Sequence, residues 1–399
     1  MKYIILRCED RGWREGGPSL FEGAKTVHLR DLFQAGAGGT IRSRQGAVMA
    51  DRFALHRGLL GLSAHDASAS AGLCYAASAK VALADGDTAW CAELLTQHDG
   101  KVTDAAAGGI STKESRILID ALNGQLAAVT RRWAVGDGSH HVLVVRDPSL
   151  QANGARALRE PDVLVGQSWR RSLPRGPLRE ALHALIEQAS KILDTQPVNR
   201  VRADLGENPA NLLWLWGGAQ AQPQRSFRER TGRSGAVVSN GFLLRGLART
   251  LGLDWKPGPR SLEEAPIQHL TQTLAGLVER HALVELHLEI ETEDPIERLC
   301  AMERIDQHLL KPVAERLPRL GPWRLMVVID DRRMSGAIPV IAIGTDLPPA
   351  PVVSLTAEQL AASPLAFDDG PALFSWLTHG DMEHAGDERS RTPARATRS

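Results

Sequence analysis

The chain predicts an α/β fold, in which a largely parallel sheet carries helices on both faces and the chain is interrupted by a small inserted α+β domain. Three observations predict it. Residues 211–216 (NLLWLW) form an apolar run too short for a helix, cut off at once by Gly217-Gly218. Such a run reads as a strand buried on both faces, the kind that belongs to parallel sheets. Beyond it, residues 226–231 predict a short helix, 235–239 a strand and 241–251 a helix, and β-α-β-α alternation builds helix-covered sheets. After Gly61 the character shifts to small residues and then to a strand-strand-helix-strand order, which marks the insertion.

In chain order, residues 3–6 predict a first buried strand that ends in the charged run Arg7 to Arg11. Ligands collect at the carboxyl ends of strands in doubly wound sheets, so Glu9 and Asp10 stand where chemistry is expected. The loop Gly16, Gly17, Pro18 leads to a helix over 27–34 closed by Gly36, glycine being a common helix stop. Residues 36–50 are rich in Gly, Ala and Arg, and a helical pattern covers roughly 51–60. Residues 63–79 offer little to build a core. Residues 87–96 and 101–103 predict a hairpin across Asp99-Gly100, a good turn dipeptide. Residues 110–122 predict a helix with Ile117, Leu118 and Leu122 on its apolar face. Ser111 caps it, and Glu114 three residues on completes a capping box. A strand at 142–145, an irregular return over 149–177 and a long amphipathic helix at 178–193 follow.

Later elements are a helix at 262–280, a strand at Leu283–Ile290 and a helix at 295–317 with Asp294 as cap and Pro295 at its first position, where proline is favoured. Two more buried strands are expected at 323–329 and 338–343. Residues 380–399 carry four arginines and almost nothing to bury, so a disordered tail is expected. The resulting division is core 1–61, inserted α+β domain 62–180, core 181–379 and tail 380–399, without internal repeats.

Composition excludes several classes. Lys+Arg and Asp+Glu balance at 47 each, so no charge excess argues for nucleic acid or an anionic membrane. The cysteines, Cys8, Cys74, Cys91 and Cys300, form no CxxC pair, against a zinc ribbon or disulfide scaffold. The start, MKYIILRCED, has too few apolar residues for a secretory signal, and no run approaches the ~20 residues that span a bilayer. A soluble cytoplasmic protein is expected.

Several segments together resemble the archaeal-type 2,3-bisphosphoglycerate-independent phosphoglycerate mutases of the alkaline phosphatase superfamily. They are MKYIIL, GAKTVHLRDLFQAG, ADGDTAW, GGISTKESRILIDALNG, QPVNRVR, NPANLLWLWGGA and SGAVVSNGFLLRGLARTLGL, in order over most of residues 1–345. The resemblance implies an alkaline-phosphatase-like α/β/α core with an inserted α+β domain. It also implies a metal-activated serine that takes phosphate from 3-phosphoglycerate and returns it to the other hydroxyl, with two cations clamping the phosphoryl oxygens.

The implied positions are substituted. The first metal-binding aspartate falls at Glu9. The nucleophile falls at Ala50, in Val48-Met49-Ala50-Asp51, where no phosphoserine can form. The Asp-x-x-x-His pair after Leu283–Ile290 meets Glu291-Thr292-Glu293-Asp294-Pro295, and the next Asp-His meets Asp330-Asp331. The later histidine loop is shortened to 332–337 without histidine, the substrate-binding arginine falls at Gly109, and the histidine of HPVN at Gln196.

Glu9, Asp51, Asp330 and Asp331, with Asp10 beside them, can gather into an acidic pocket for a hard cation such as Mg²⁺ or Mn²⁺, or stand as solvated strand-end residues. Adjacent His140 and His141 diverge, so exposed turn residues are expected there rather than ligands. No His or Asp motif points at Ser63 or Ser68 as a replacement nucleophile. Trp214 and Trp216 alternate with leucine and predict core packing; Arg7, Arg11 and Arg14 predict a solvated loop. The expected function is therefore a pseudoenzyme with a binding or regulatory role and no cofactor, its partner another protein or a small phosphorylated ligand. The alternative is a phosphoryl-transfer enzyme or hydrolase working through Mn²⁺ or Mg²⁺ on the acidic strand ends.

Overall fold

The computed structural model describes residues 1–12, 17–42, 52–63, 66, 69–128, 130–150, 158–330, 337–347 and 355–380. The chain divides into two units: Met1–Ala64 with Phe227–Asn240 and Leu253–Ser399, and His65–Ser226 with Gly241–Gly252.

The first unit is built on an eight-stranded sheet. Its order is Ala366–Phe367, Ala37–Arg42, Ala337–Gly344, Trp323–Asp330, Lys2–Asp10, Leu283–Ile290, Gly235–Val238 and Asp254–Lys256. Lys2–Asp10 runs parallel to both neighbours, and only Ala337–Gly344 runs against its partners. The α/β expectation holds for this unit. The first strand extends past residue 6, buried from Tyr3 to Asp10. Side chains alternate across a strand, so Ile4, Leu6 and Cys8 enter a core with Leu286, Leu288, Leu325 and Val327, while Arg7 and Glu9 take the opposite face.

Local chemistry fixes several helix ends. Asp294 accepts from the N–H groups of Ile296 and Glu297 and Pro295 opens the helix Pro295–Ile305, as expected. The expected single helix to 317 is broken by a π-turn at Asp306–Leu310. The turn has a use: the Asp306 carboxylate accepts from the backbone N–H of His28 at 3.1 Å and of Leu29 at 2.7 Å. It thereby caps Val27–Ala35, whose own Thr26 makes no side-chain cap.

In the second unit Thr88–His98 pairs antiparallel with His140–Val145 and with Leu212–Gln220. Residues 211–216 therefore belong to this antiparallel sheet, and not to the parallel core as expected. Burial on both faces is also what an antiparallel strand shows when helices cover it, here Ala71–Ser78 and Pro177–Asp194. For the same reason the chain re-enters the first unit at Phe227 instead of residue 181. The small-residue stretch also differs from expectation. Ala71–Ser78 is a helix, buried except at Ala77, and its small residues allow close backbone contact. A Cβ on Gly72 would lie 2.1 Å from the Ala89 carbonyl oxygen, and one on Gly246 would lie 1.8 Å from that of Cys74.

Asp99 and Gly100 both take positive φ (48° and 76°) at the hairpin tip, which a two-residue primed turn requires. Thr112–Leu126 carries the expected reciprocal capping box between Ser111 and Glu114. Ser111→Ala is expected to cost about 1 kcal/mol, measurable as a lower urea midpoint at unchanged m. Among the described residues no helix is long and apolar enough to cross a membrane.

Candidate functional site

Parallel register brings three strand ends together: Arg7 lies beside His287, and Glu9 beside both Glu289 and Asp330. The two-residue period puts Arg7, Glu9, Glu285, His287 and Asp330 on one face. His56, from the helix Arg52–Leu59, packs onto that face, its ring edge-on to His287 with centroids 4.6 Å apart.

Arg7 is the centre. It is 0% exposed, and its Nη1 donates to His56 Nε2 at 2.6 Å. Nη2 donates to Asp330 Oδ2 at 2.7 Å and lies 3.4 Å from Glu9 Oε2. Glu9 Oε2 is also 2.9 Å from His287 Nε2, and His287 Nδ1 is 3.3 Å from the Ser239 hydroxyl. Burial pulls the Arg7 pKa down, but Glu9 and Asp330 outweigh it and the net direction is up. The guanidinium is permanently charged. Because it only donates, His56 Nε2 must accept, which leaves the hydrogen on Nδ1, 3.5 Å from Glu285 Oε1. At that length the two are electrostatic neighbours rather than hydrogen-bonded. Neither Glu285 oxygen has a hydrogen-bond partner among the described residues. Burial pushes its carboxyl up to about 8, with Arg7 pulling it back only in part, so Glu285 is predominantly protonated at neutral pH.

Glu9, His56 and His287 each offer a donor atom within 4.8 Å of the others. One carboxylate and two imidazoles suit a transition metal better than Mg²⁺. Arg7 stands against it: the lone pair of His56 Nε2 already accepts from the guanidinium, whose other arm lies on Asp330 and Glu9. A second cation here would meet a buried positive charge at short range and low dielectric, where repulsion is strong. With Arg7 in place, the residues do not fit the pair of divalent cations implied by the resemblance.

Of the expected site residues, Glu9 and Asp330 do meet, but through Arg7. Ala50, Asp51 and Asp331 lie outside the described residues, as do Arg14, Ser68 and residues 381–399 of the expected tail. Asp10 faces the other side of the sheet, where Arg298 grips it. Arg7 is no loop residue; Arg11 is partly exposed and pairs with Glu289 at 2.8 Å. His140 and His141 begin a strand, not a turn. His141 is 0% exposed, and its burial lowers its pKa to about 3. Trp214 and Trp216 are core, as expected. His56 and His287 escape the sequence reading, although His287 sits two residues from Glu285 on a strand already assigned. Beside the network lies a cavity of about 290 Å³ lined by His287, Asn240, Arg260, Glu289, Glu291 and Glu297.

Residues 55–199 match the family described as 2,3-bisphosphoglycerate-independent phosphoglycerate mutase. A protein of that name from Methanosarcina acetivorans is 32% identical over 263 residues, covering 64% of this chain and 66% of the relative, just under two thirds of its length. One from Methanosarcina mazei is 28% identical over 342 residues, covering 83% and 85%. Among solved structures, a cofactor-independent phosphoglycerate mutase from Thermoplasma acidophilum aligns with a TM-score of 0.57 at 22% identity, covering 95% of this chain and 99% of that one. A Pyrococcus horikoshii protein aligns at 0.64 and 16%, covering 94% and 96%. The two structures establish likeness of fold.

Proposed function

We propose, for a chain that belongs to the family of 2,3-bisphosphoglycerate-independent phosphoglycerate mutases, a binding or regulatory role in place of metal-assisted phosphoryl transfer. The observation that carries this is the buried Arg7 guanidinium among Glu9, Asp330 and His56. Phosphoryl transfer by way of a serine needs a hydroxyl, and the position that resembles the nucleophile is Ala50. It also needs cations that stabilise the charge on the transferring group, and here the Arg7 guanidinium already stands between the strand-end carboxylates Glu9 and Asp330. The neighbouring cavity, lined by more carboxylates than cations, weighs against a phosphorylated ligand. It offers Arg260 against Glu263, Glu289, Glu291 and Glu297, an unfavourable lining for a phosphate.

The purified protein is expected to show no rise in melting temperature with Mn²⁺, Mg²⁺ or Zn²⁺, since a ligand bound only by the folded state must raise it. It is expected to show no conversion of 3-phosphoglycerate with any of the three. Turnover that disappears in a Glu9→Ala/Asp330→Ala variant overturns the proposal. The second reading, a metal-dependent enzyme, is favoured by the Glu9, His56 and His287 donors, and the same titration decides between them.

A further inference from the structure

We infer that the helix Pro197–Asp204 of the second unit is a docking surface for a second copy of this chain, packed antiparallel about a two-fold axis. The inference goes beyond the preceding reading and does not depend on it.

The helix presents its apolar side to water. A surface helix normally buries that side and exposes its polar one. Here the buried residues are Asn199 and Arg202, while Val201 is 55% exposed and Leu205, at the C-cap, 71%. Polar contacts fix the inner side. Asn199 Nδ2 donates to the carbonyls of Leu193 and Ala210, both at 2.9 Å, and its Oδ1 accepts from the Ala210 N–H at 2.8 Å. Arg202 donates to the Asn208 carbonyl at 3.0 Å and to Glu114, on the helix Thr112–Leu126, at 2.9 Å. Rolling the helix to bury its valine and leucine would break these bonds and strip a buried guanidinium of its partners, which is costly. Pro197, Val201 and Leu205 follow one another at four-residue spacing and are all exposed. They form one outward stripe, since residues four apart are neighbours on a helix surface. A contiguous apolar stripe held outward in this way marks an interaction site.

Charge selects the partner. Arg200 and Asp204 are exposed, and neither has an ion-pair partner among the described residues. At about 100° per residue both fall on the same side of the stripe. When two copies of the helix pack antiparallel about a two-fold axis, that side of one meets the same side of the other. Arg200 of each copy then stands opposite Asp204 of the second, and the stripe packs on itself. A two-fold contact uses one self-complementary patch twice, and this helix supplies both halves of the match. Parallel packing would set Arg200 against Arg200, which is repulsive.

Sedimentation velocity on the full-length protein tests this. A stripe this small places the dimer among weak, reversible ones, with a dissociation constant on the order of 10 µM. Wild type is therefore expected to pass from monomer to dimer between ~2 and ~200 µM. Leu205→Asp, which removes a leucine from both sides of the contact, is expected to weaken dimerisation at least roughly a hundredfold. Arg200→Glu and Asp204→Arg each set like charges opposite one another, and each alone is expected to stay monomeric over that range. An equal mixture of these two variants is expected to restore the dimer, because each chain then supplies the charge that the other needs. Melting temperatures of all three variants stay within a few degrees of wild type, since the substituted side chains are exposed. The inference is overturned if wild type is monomeric throughout, if Leu205→Asp dimerises as wild type does, if either charge variant alone dimerises as wild type does, or if the mixture stays monomeric.

Discussion

Arg298→Met lowers the unfolding free energy by about 3–5 kcal/mol, the cost typical of breaking a buried ion pair from one side. Asp10 and Arg298 are 0% and 1% exposed. The Arg298 Nε donates to Oδ1 at 3.0 Å and its Nη2 to Oδ2, a two-pronged fit that gives both geometry and strength. Methionine fills much of the volume and supplies none of the charge, so the carboxylate stays buried without its guanidinium. Equilibrium urea denaturation reads the loss as a lower midpoint at constant m. The companion variant Asp10→Leu/Arg298→Met recovers most of the loss, because an apolar pair of similar size replaces a buried ion pair at little cost. A double variant as unstable as the single one, or a single variant within 1 kcal/mol of wild type, refutes this account of the pair.

Glu285→Gln is expected to act through pH. The folded-state carboxyl is pushed up to about 8 by burial, with Arg7 opposing, whereas an unfolded glutamate titrates near 4.3. A group raised on folding contributes stability that is fully present below its unfolded value and is lost as pH rises through the folded one. Wild type therefore weakens between about pH 4.5 and 8 in this respect, and glutamine, which carries no proton to lose, does not. At roughly 1.4 kcal/mol per pH unit, the variant should exceed wild type by several kcal/mol above pH 8 and coincide with it near pH 4. Melting temperatures of both proteins across that range check the prediction. A difference independent of pH would show that Glu285 is ionised in the folded protein at neutral pH.

Features set by local chemistry were legible in the sequence. The Ser111 capping box, the Asp294 cap with Pro295, the Asp99-Gly100 turn and the bounds of Leu283–Ile290 depend on residues a few positions apart. Features set by distant partners were not. Arg7 looked like the start of a solvated loop because nothing near it in sequence announces His56, 49 residues away, or Asp330, 323 residues away. His56 sits in an ordinary helical pattern, and only the folded sheet places it over His287. The strand Ala37–Arg42 hid behind Gly38 and Gly39, which usually mark loops. Here they give clearance, since a Cβ on either would lie 2.2 Å from Phe33 or from the Leu365 carbonyl oxygen. The glycine-ended run at 211–216 was rightly a buried strand, but strand direction depends on the partner, and that partner is Thr88–His98.

The strand at the middle of the larger sheet precedes every other strand of that sheet in the chain, yet both its neighbours are made late, at Leu283–Ile290 and Trp323–Asp330. At roughly 5–20 residues per second, Lys2–Asp10 spends on the order of tens of seconds with both edges open. A bare YIIL segment in that condition is a template for pairing with other chains. The charges that follow it, Arg7, Glu9 and Asp10, are hydrated in the growing polypeptide and oppose such pairing, as gatekeeper residues do beside apolar strands. When the late strands and helices arrive, the same three side chains find Asp330, His287 and Arg298 and are withdrawn from water. The charged end of this strand thus guards the chain during its synthesis and becomes the buried interior of the finished protein.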